Sequence, residues 1–536
     1  MTVFSALCVL ANVSIASLSA QDVPKNWHLL DAKENGFPGI SLEKAYDYLD
    51  KEGRQPTPVI IAVLDSGLDI AHEDIAPVLW ANSDEVANNA KDDDGNGYVD
   101  DINGWNFIGN KAGESLDGAT LGITRLYKKY LKQFEGKNKF DIDDSQKEDY
   151  LEFLSYMETF EREKKELKER IENSEEEYDF FNQLIPPLQA ALGKPLFSAR
   201  QLRNQKLKGT DLNNKRSNFF RILERNKEKG LTSEKLIKHY EDLAERMDEL
   251  QKRKQFNYNL EFNGRALIED DFNNLEETGY GNADVTVRAG HGTHVSGIIG
   301  AKRGNNLGMD GIVENVLIMP VRTTPMGDEY DKDVANGIRY AVDNGARVIN
   351  MSFGKSYSPF KEVVDAAVKY AEEKGVLMVH GAGNSSKNTD YYYNFPSPLL
   401  QDGTVVGNWL EIGAIAPDMG EEMPAKFSNY GKASVDIFAP GVDIYATLPN
   451  GKYDTRSGTS MASPVVAGVA ALLFSYFPEL TTEEVIAIIR ESGEAYTQIV
   501  LQPGTDEKVP FSSLSKTGKV VNAYNAVKLA NEKYTR

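Results

Sequence analysis

Short, continuous apolar runs rich in β-branched residues recur along the chain at residues 58–64, 316–321, 348–353, 375–381 and 410–415. Runs of this length without polar alternation predict strands buried on both faces of a parallel sheet. Apolar residues at helical spacing alternate with them at 334–344 and 360–373, and a last such run at 482–492 precedes the C-terminal segment 520–531. Ahead of the first run, Leu42, Ala45, Tyr46 and Leu49 make a short amphipathic helix, and the small-residue run 465–473 reads as a helix buried all round. Strand–helix alternation of this kind predicts an α/β fold with a mostly parallel central sheet and right-handed crossovers.

A different pattern interrupts it from 111 to 274, where Lys, Glu, Leu and aromatic residues dominate. Ser145 and Glu148 have the spacing of a capping box, after which Tyr150, Phe153, Met157, Phe160, Leu167 and Ile171 share one helix face. A second stripe follows at Leu236, Ile237, Tyr240, Leu243, Met247 and Leu250. The two stripes predict long amphipathic helices packed as a hairpin, with Pro186-Pro187 breaking the region between them. No heptad register persists, so a coiled coil is not expected. The expected organisation is a discontinuous α/β domain, 21–110 and 275–536, carrying an all-helical insertion at 111–274.

The formal net charge of -21 argues against nucleic acid or an anionic membrane surface as the main partner. The lone cysteine, Cys8, lies in the apolar stretch 3–16, which ends in Leu18-Ser19-Ala20-Gln21. Residues 1–20 thus have the length and small-residue exit of a secretory signal peptide, although no Lys or Arg precedes Lys25. This predicts export to the periplasm, cell surface or medium. The mature chain would have no disulfide and, with no other apolar stretch judged long enough, no integral membrane segment.

The segment Asp92-Asp93-Asp94-Gly95-Asn96-Gly97-Tyr98-Val99-Asp100 places oxygen donors at alternate positions with Gly at the sixth. Asp92, Asp94, Asn96, the Tyr98 carbonyl and Asp100 then match a calcium loop, and Ca2+ is the expected cofactor. Asn103 stands at the twelfth position, where an EF-hand has Glu. The other reading is a solvated acidic turn.

Three further motifs carry candidate chemistry. Asp65-Ser66-Gly67 puts a carboxylate at the end of the first predicted strand, and Gly290-His291-Gly292-Thr293-His294 opens a small-residue helix. Gly458-Thr459-Ser460-Met461-Ala462-Ser463-Pro464 presents a serine at the start of the buried helix. Each alone has a plainer reading as a turn or a cap. The two histidines lack the partners of a zinc set.

Taken together, in the order Asp, His, Ser, these motifs resemble those of the subtilisin-like serine peptidases, the subtilases. The intervening text agrees: His72-Glu73-Asp74, Val348-Ile349-Asn350-Met351-Ser352-Phe353-Gly354, Gly383-Asn384 and Phe438-Ala439-Pro440-Gly441. The resemblance covers 36–110 and 275 to the C-terminus. It implies a subtilisin-like three-layer sandwich and a serine endopeptidase acting on protein or peptide substrates. It further implies Ser460 as nucleophile, His291 rather than His294 as general base, Asp65 as its orienting carboxylate and Asn384 as an oxyanion donor. Ser352, Phe353 and Gly354 would pair with extended substrate and, with Gly383, wall its primary pocket. Phe395-Pro396 stands where the family has Tyr-Pro, so Asn394 and Tyr391–Tyr393 would narrow or polarise that pocket. Asp328, Glu329, Asp331 and Asp333 would either favour basic substrate residues or form a solvated acidic loop. The long insertion between Asp65 and His291 departs from the minimal family core. It leaves open a scaffold on an inactive subtilase fold, or a protein whose insertion is the main functional surface.

Overall fold

The computed structural model describes residues 23–272 and 274–534. The expected leader and Cys8 lie outside them. Thirteen strands are present among the described residues. They are β1 Val59–Asp65, β2 Trp105–Asn106, β3 Val316–Arg322, β4 Val348–Met351, β5 Leu377–Gly381, β6 Trp409–Ile415, β7 Ile437–Pro440, β8 Ile444–Leu448, β9 Lys452–Arg456, β10 Glu494–Ala495, β11 Ile499–Leu501, β12 Lys508–Pro510 and β13 Lys519–Val520. Nine form one sheet in the order β10-β13-β7-β6-β5-β4-β1-β3-β2. Every pair in it is parallel except β10 with β13.

The sheet is covered on both faces, which is why its strands are apolar without alternation. In β1, Val59, Ile61 and Val63 point into one core with the helices Gly290–Gly300 and Thr459–Tyr476, while Ala62 and Leu64 point into the other. That second core holds the inner faces of the helices Asp331–Asp343 and Lys361–Glu373. The result is the three-layer α/β sandwich expected from the sequence. Among the described residues, Thr459–Tyr476 is the one helix long and apolar enough by composition to cross a bilayer, with mean hydropathy 1.4. The run 465–473 predicts a buried helix, but not one of spanning length. Its apolarity has another cause here, since the helix is buried in the core on nearly every side.

Two compact units emerge among the described residues: 126–260, and 23–125 with 261–534. The helical unit is thus narrower than the expected 111–274. Ion pairs tie the flank after the helices to the α/β unit, with Arg265 Nη1 2.6 Å from Asp333 and Lys332 Nζ 2.7 Å from both Asp270 and Glu277, whereas the flank before them is tied by hydrogen bonds such as Arg125 Nη1 to the Glu329 carbonyl at 3.1 Å. Within the helical unit, Lys147–Leu192 packs against Ser233–Phe256. Leu167 and Ile171 meet Met247 and Leu250, whereas Phe181, Leu184, Ile185 and Leu188 meet Leu236, Ile237 and Leu243, so the two helices run antiparallel.

Two local expectations fail. The first long helix continues through Pro186 and Pro187 to Leu192, and no side-chain cap forms at Ser145, because the helix starts at Lys147 with Gln146 before it. Each interior proline costs about 3 kcal/mol. Burying Phe181, Leu184, Ile185 and Leu188 contributes roughly 1.5–3 kcal/mol apiece, enough to hold the helix together across them.

Candidate active site

The carboxyl ends of the central strands gather the candidate residues, the usual place for a site in an open α/β sheet. Asp65 ends β1, and His291 lies in the first turn of Gly290–Gly300. His291 Nδ1 sits 2.8 and 2.9 Å from the two Asp65 carboxylate oxygens. An ionised carboxylate only accepts, so Nδ1 carries a proton, and in the neutral imidazole the lone pair is then on Nε2. The approach depends on Gly292, where a Cβ would fall 2.2 Å from the Gly67 carbonyl oxygen. Asp65 is nearly fully buried and also accepts from the Ser66 backbone N–H at 2.7 Å.

Ser460 is the second residue of Thr459–Tyr476. Its Oγ donates to the Ser352 carbonyl at 2.9 Å, and no hydrogen bond joins it to His291 among the described residues. Pro464 lacks an N–H, so the Ser460 carbonyl has no helical partner four residues on. Ser352 Oγ supplies one at 2.9 Å. The segment after β4 is thereby stapled to the serine in both directions.

Asn384 follows β5. Its Oδ1 accepts from the Thr459 backbone N–H at 2.9 Å and from Thr459 Oγ1 at 3.1 Å. A backbone N–H only donates, so the amide orientation is fixed and Nδ2 faces the other way. A methyl group placed on Gly458 would stand 3.6 Å from both Asn384 Nδ2 and the Ser460 backbone nitrogen, so the two donors flank one small space.

Beside them lies a cavity of about 150 Å³ lined by Ser352, Phe353 and Gly354, by Gly381, Gly383 and Asn384, and by Asn394 with Ser460. All five sequence-predicted substrate residues are among these. Asn394 Nδ2 donates to the Gly381 carbonyl at 3.0 Å, and a Cβ on Gly354 would fall 2.4 Å from Asn394 Oδ1, so the amide fills the space between the two walls. Tyr392 and Tyr393, both exposed, line the same cavity.

His294, three residues from His291, is fully buried, with Nε2 3.2 Å from the Asp454 carbonyl. Burial, and after it the Arg456 charge, pulls its pKa down to about 3, so it is neutral and structural. The acidic segment differs from both expectations. Glu329, Asp331 and Asp333 are buried, Asp331 lies 2.7 Å from Lys355, and Asp333 accepts from the Tyr280 hydroxyl at 2.7 Å in addition to its Arg265 pair. Asp331 and Asp333 are thus compensated inside the protein, Glu329 is buried 3.6 Å from Lys355, and Asp328 accepts the Gly122 backbone N–H at 2.7 Å, so the segment is not a solvated acidic loop.

Sequence reasoning missed Arg322 and the pair His380–Glu411. Arg322 is fully buried and donates to the Ser66 carbonyl at 2.8 Å and to Asn106 Oδ1 at 2.9 Å, bracing the turn after Asp65. Burial lowers its pKa to about 10. Its place directly after the apolar run 316–321 was the available signal.

In the acidic loop, Asp92 and Asp94 come together with Glu85, their carboxylate oxygens within 4.8 Å of one another. The Asn96 amide donates to Asp94, and the Tyr98 ring packs on Trp105, Phe107 and Tyr340. Asp100 departs from the expected donor set. It accepts from the backbone N–H groups of Asn89 and Ala90, at 3.1 and 2.9 Å, because its positive φ of 54° turns it out of the loop. Glu85, outside the contiguous loop, is the carboxylate that lies beside Asp92 and Asp94.

A mostly parallel sheet with Asp, His and Ser brought to its carboxyl edge defines an α/β protein with a serine-centred site. The sequence profile of the Subtilase family matches residues 57–511, and the chain belongs to that family. It is 41% identical over 186 residues to the thermophilic serine proteinase of Bacillus sp. (strain AK1), covering 34% of this chain and 42% of that one. Over 219 residues it is 37% identical to the cell wall-associated protease of Bacillus subtilis (strain 168), covering 41% and 23%. With subtilisin DY of Bacillus licheniformis it shares 37% over 203 residues, covering 37% and 67%. The aligned part thus spans less than half of the first two relatives.

Proposed function

We propose that this subtilase is a serine endopeptidase that hydrolyses peptide bonds through an acyl-enzyme. The observation that carries this reading is the bidentate seat of His291 Nδ1 on Asp65 in the same site as Ser460 and the two donors around Gly458. Ser460 Oγ attacks the scissile carbonyl carbon and its proton passes to His291 Nε2. The carbonyl oxygen, now negative, takes hydrogen bonds from Asn384 Nδ2 and the Ser460 backbone N–H. His291 returns the proton to the leaving amine as the C–N bond breaks. Water then repeats the sequence on the ester, with Asp65 stabilising the imidazolium throughout.

The cavity walled by Ser352–Gly354 and Gly381–Gly383 would take the side chain before the scissile bond, with the Asn394 amide as its floor. Calcium is proposed at Glu85, Asp92 and Asp94, an all-oxygen donor set suited to a hard cation. Export is proposed from the pattern of residues 1–20. Purified Ser460→Ala should lose peptide turnover while keeping its melting temperature, measured with a fluorogenic peptide and by calorimetry. Turnover retained in that variant would overturn the assignment.

A further inference from the structure

One buried titratable pair next to the site has no part in the mechanism above. His380, in β5, and Glu411, in β6, face each other across adjacent strands, paired in register at His380↔Glu411. His380 is fully buried, and its Nδ1 lies 3.0 Å from both Glu411 carboxylate oxygens. Trp409 Nε1 donates to Glu411 Oε2 at 2.9 Å. On the far side of the ring, His380 Nε2 lies 2.7 Å from the Phe353 carbonyl oxygen.

A carbonyl can only accept, so Nε2 must carry a proton. Nδ1 then faces a carboxylate and needs a proton as well, so both contacts are satisfied together only when the pair retains one proton beyond neutral imidazole and ionised carboxylate. Phe353 stands between Ser352, whose carbonyl accepts the Ser460 hydroxyl, and Gly354, which walls the cavity. A tether on its carbonyl therefore holds the segment that carries both.

We propose that His380, held by Glu411, is a positioning residue for peptide hydrolysis, fixing residues 352–354 through its hydrogen bond to the Phe353 carbonyl. The proposal rests on the peptidase reading of the site. Burial disfavours a charged imidazole, but Glu411, with help from the Phe353 carbonyl and Glu329, outweighs it and raises the His380 pKa above the ordinary imidazole value. The charged surroundings are consistent with that balance. Glu411 faces the ring from β6 and Glu329 from the segment before Asp331–Asp343; Lys355 lies 3.6 Å from Glu329 and 2.7 Å from Asp331. Behind Glu411, Asp436 accepts the Glu411 N–H and is matched by Arg490 and Lys516. Because the folded pKa is raised, the tether is intact below the ordinary imidazole range and is lost as pH rises through the raised value. Once the proton leaves, either Nδ1 confronts Glu411 or Nε2 confronts Phe353 with a lone pair.

Three proteins test this: wild type, His380→Ala and Glu411→Gln, each with an extended peptide substrate across neutral and alkaline pH. His380→Ala should lose at least about tenfold in kcat/KM at neutral pH, in keeping with the sensitivity of catalysis to small displacements. Glu411→Gln should keep most of its activity there, because a glutamine amide can donate to Nδ1 of a neutral His380 whose Nε2–H still reaches Phe353. It should also lose the decline expected of wild type as pH rises through the raised His380 pKa. A merely structural pair would not separate the two variants in this way. The activity-independent arm is backbone hydrogen exchange at 352–354 in the Ser460→Ala protein, which His380→Ala should accelerate. Unchanged kcat/KM in folded His380→Ala, an alkaline limb that survives Glu411→Gln, or unchanged exchange at 352–354 would each overturn the proposal. If His380→Ala does not fold, Glu411→Gln decides it through the pH profile. Should wild type turn over no peptide at all, the peptidase reading fails and the exchange arm alone decides the tether.

Discussion

A hydroxyl has one proton to give, and Ser460 gives its proton to the Ser352 carbonyl. Passing the proton to His291 Nε2 requires that hydrogen bond to be given up, a small cost compared with the barrier of the reaction. The more demanding requirement is the space where charge develops. Gly458 has an extended backbone, with φ 162° and ψ 161°, which alanine also adopts, so Gly458→Ala should fold with stability within about 0.5 kcal/mol of wild type. Its methyl group would stand in ordinary van der Waals contact with both proposed oxyanion donors and crowd the oxygen between them. Loss of one such donor costs about 10²–10³ in kcat, a magnitude known from another member of this family. The variant should therefore show kcat reduced by at least about tenfold with little change in KM, and an unchanged kcat in steady-state measurements would contradict the placement.

At the scale of elements, what could be read from sequence was whatever repeats or is contiguous. The apolar runs located β1, β3, β4, β5 and β6 to within two residues because a strand buried on both faces needs no partner to be recognised. The hairpin β8–β9 was passed over although its Asn450-Gly451 turn, both residues at φ 66°, is a strong hairpin signal. Its second strand is largely exposed and polar, so hydrophobic pattern alone did not reveal it. Asp65, His291, Ser460 and Asn384 were legible only because each sits in a motif, whereas His380 and Glu411 meet through strand register and belong to none. Glu85 was hidden for a similar reason, lying outside the contiguous loop it joins. That loop carries its own prediction. If calcium binds there, chelation should lower the melting temperature, since a ligand bound only by the native state stabilises it by mass action. Asp92→Ala combined with Asp94→Ala should abolish the difference between chelated and calcium-loaded melts in calorimetry. A chelator without effect on wild type would leave the acidic turn as the reading.

For the molecule as a whole, the boundary between the two units is set by charge as much as by chain position. Residues 261–277 follow the helices in sequence, yet Arg265, Asp270 and Glu277 pair with Asp333 and Lys332, which are fully buried in the α/β unit. Replacing 126–260 by a short flexible linker should therefore leave the α/β unit folded. Removing 111–274 instead takes away Arg265 and Asp270 and strands buried charge, at about 3–5 kcal/mol per broken pair. Thermal melting of the two deletion proteins separates these outcomes, and equal midpoints would contradict the boundary.

The position of β1 has a consequence for the integrity of the chain. β1 is hydrogen-bonded to β3 on one side and β4 on the other, so the polypeptide before the helices lies in the middle of a sheet built mostly by the polypeptide after them. A cut within 126–260 would leave the fragments interlocked. The nicked protein would in effect be a heterodimer with a shared catalytic centre, Asp65 contributed by one subunit and His291 with Ser460 by the other.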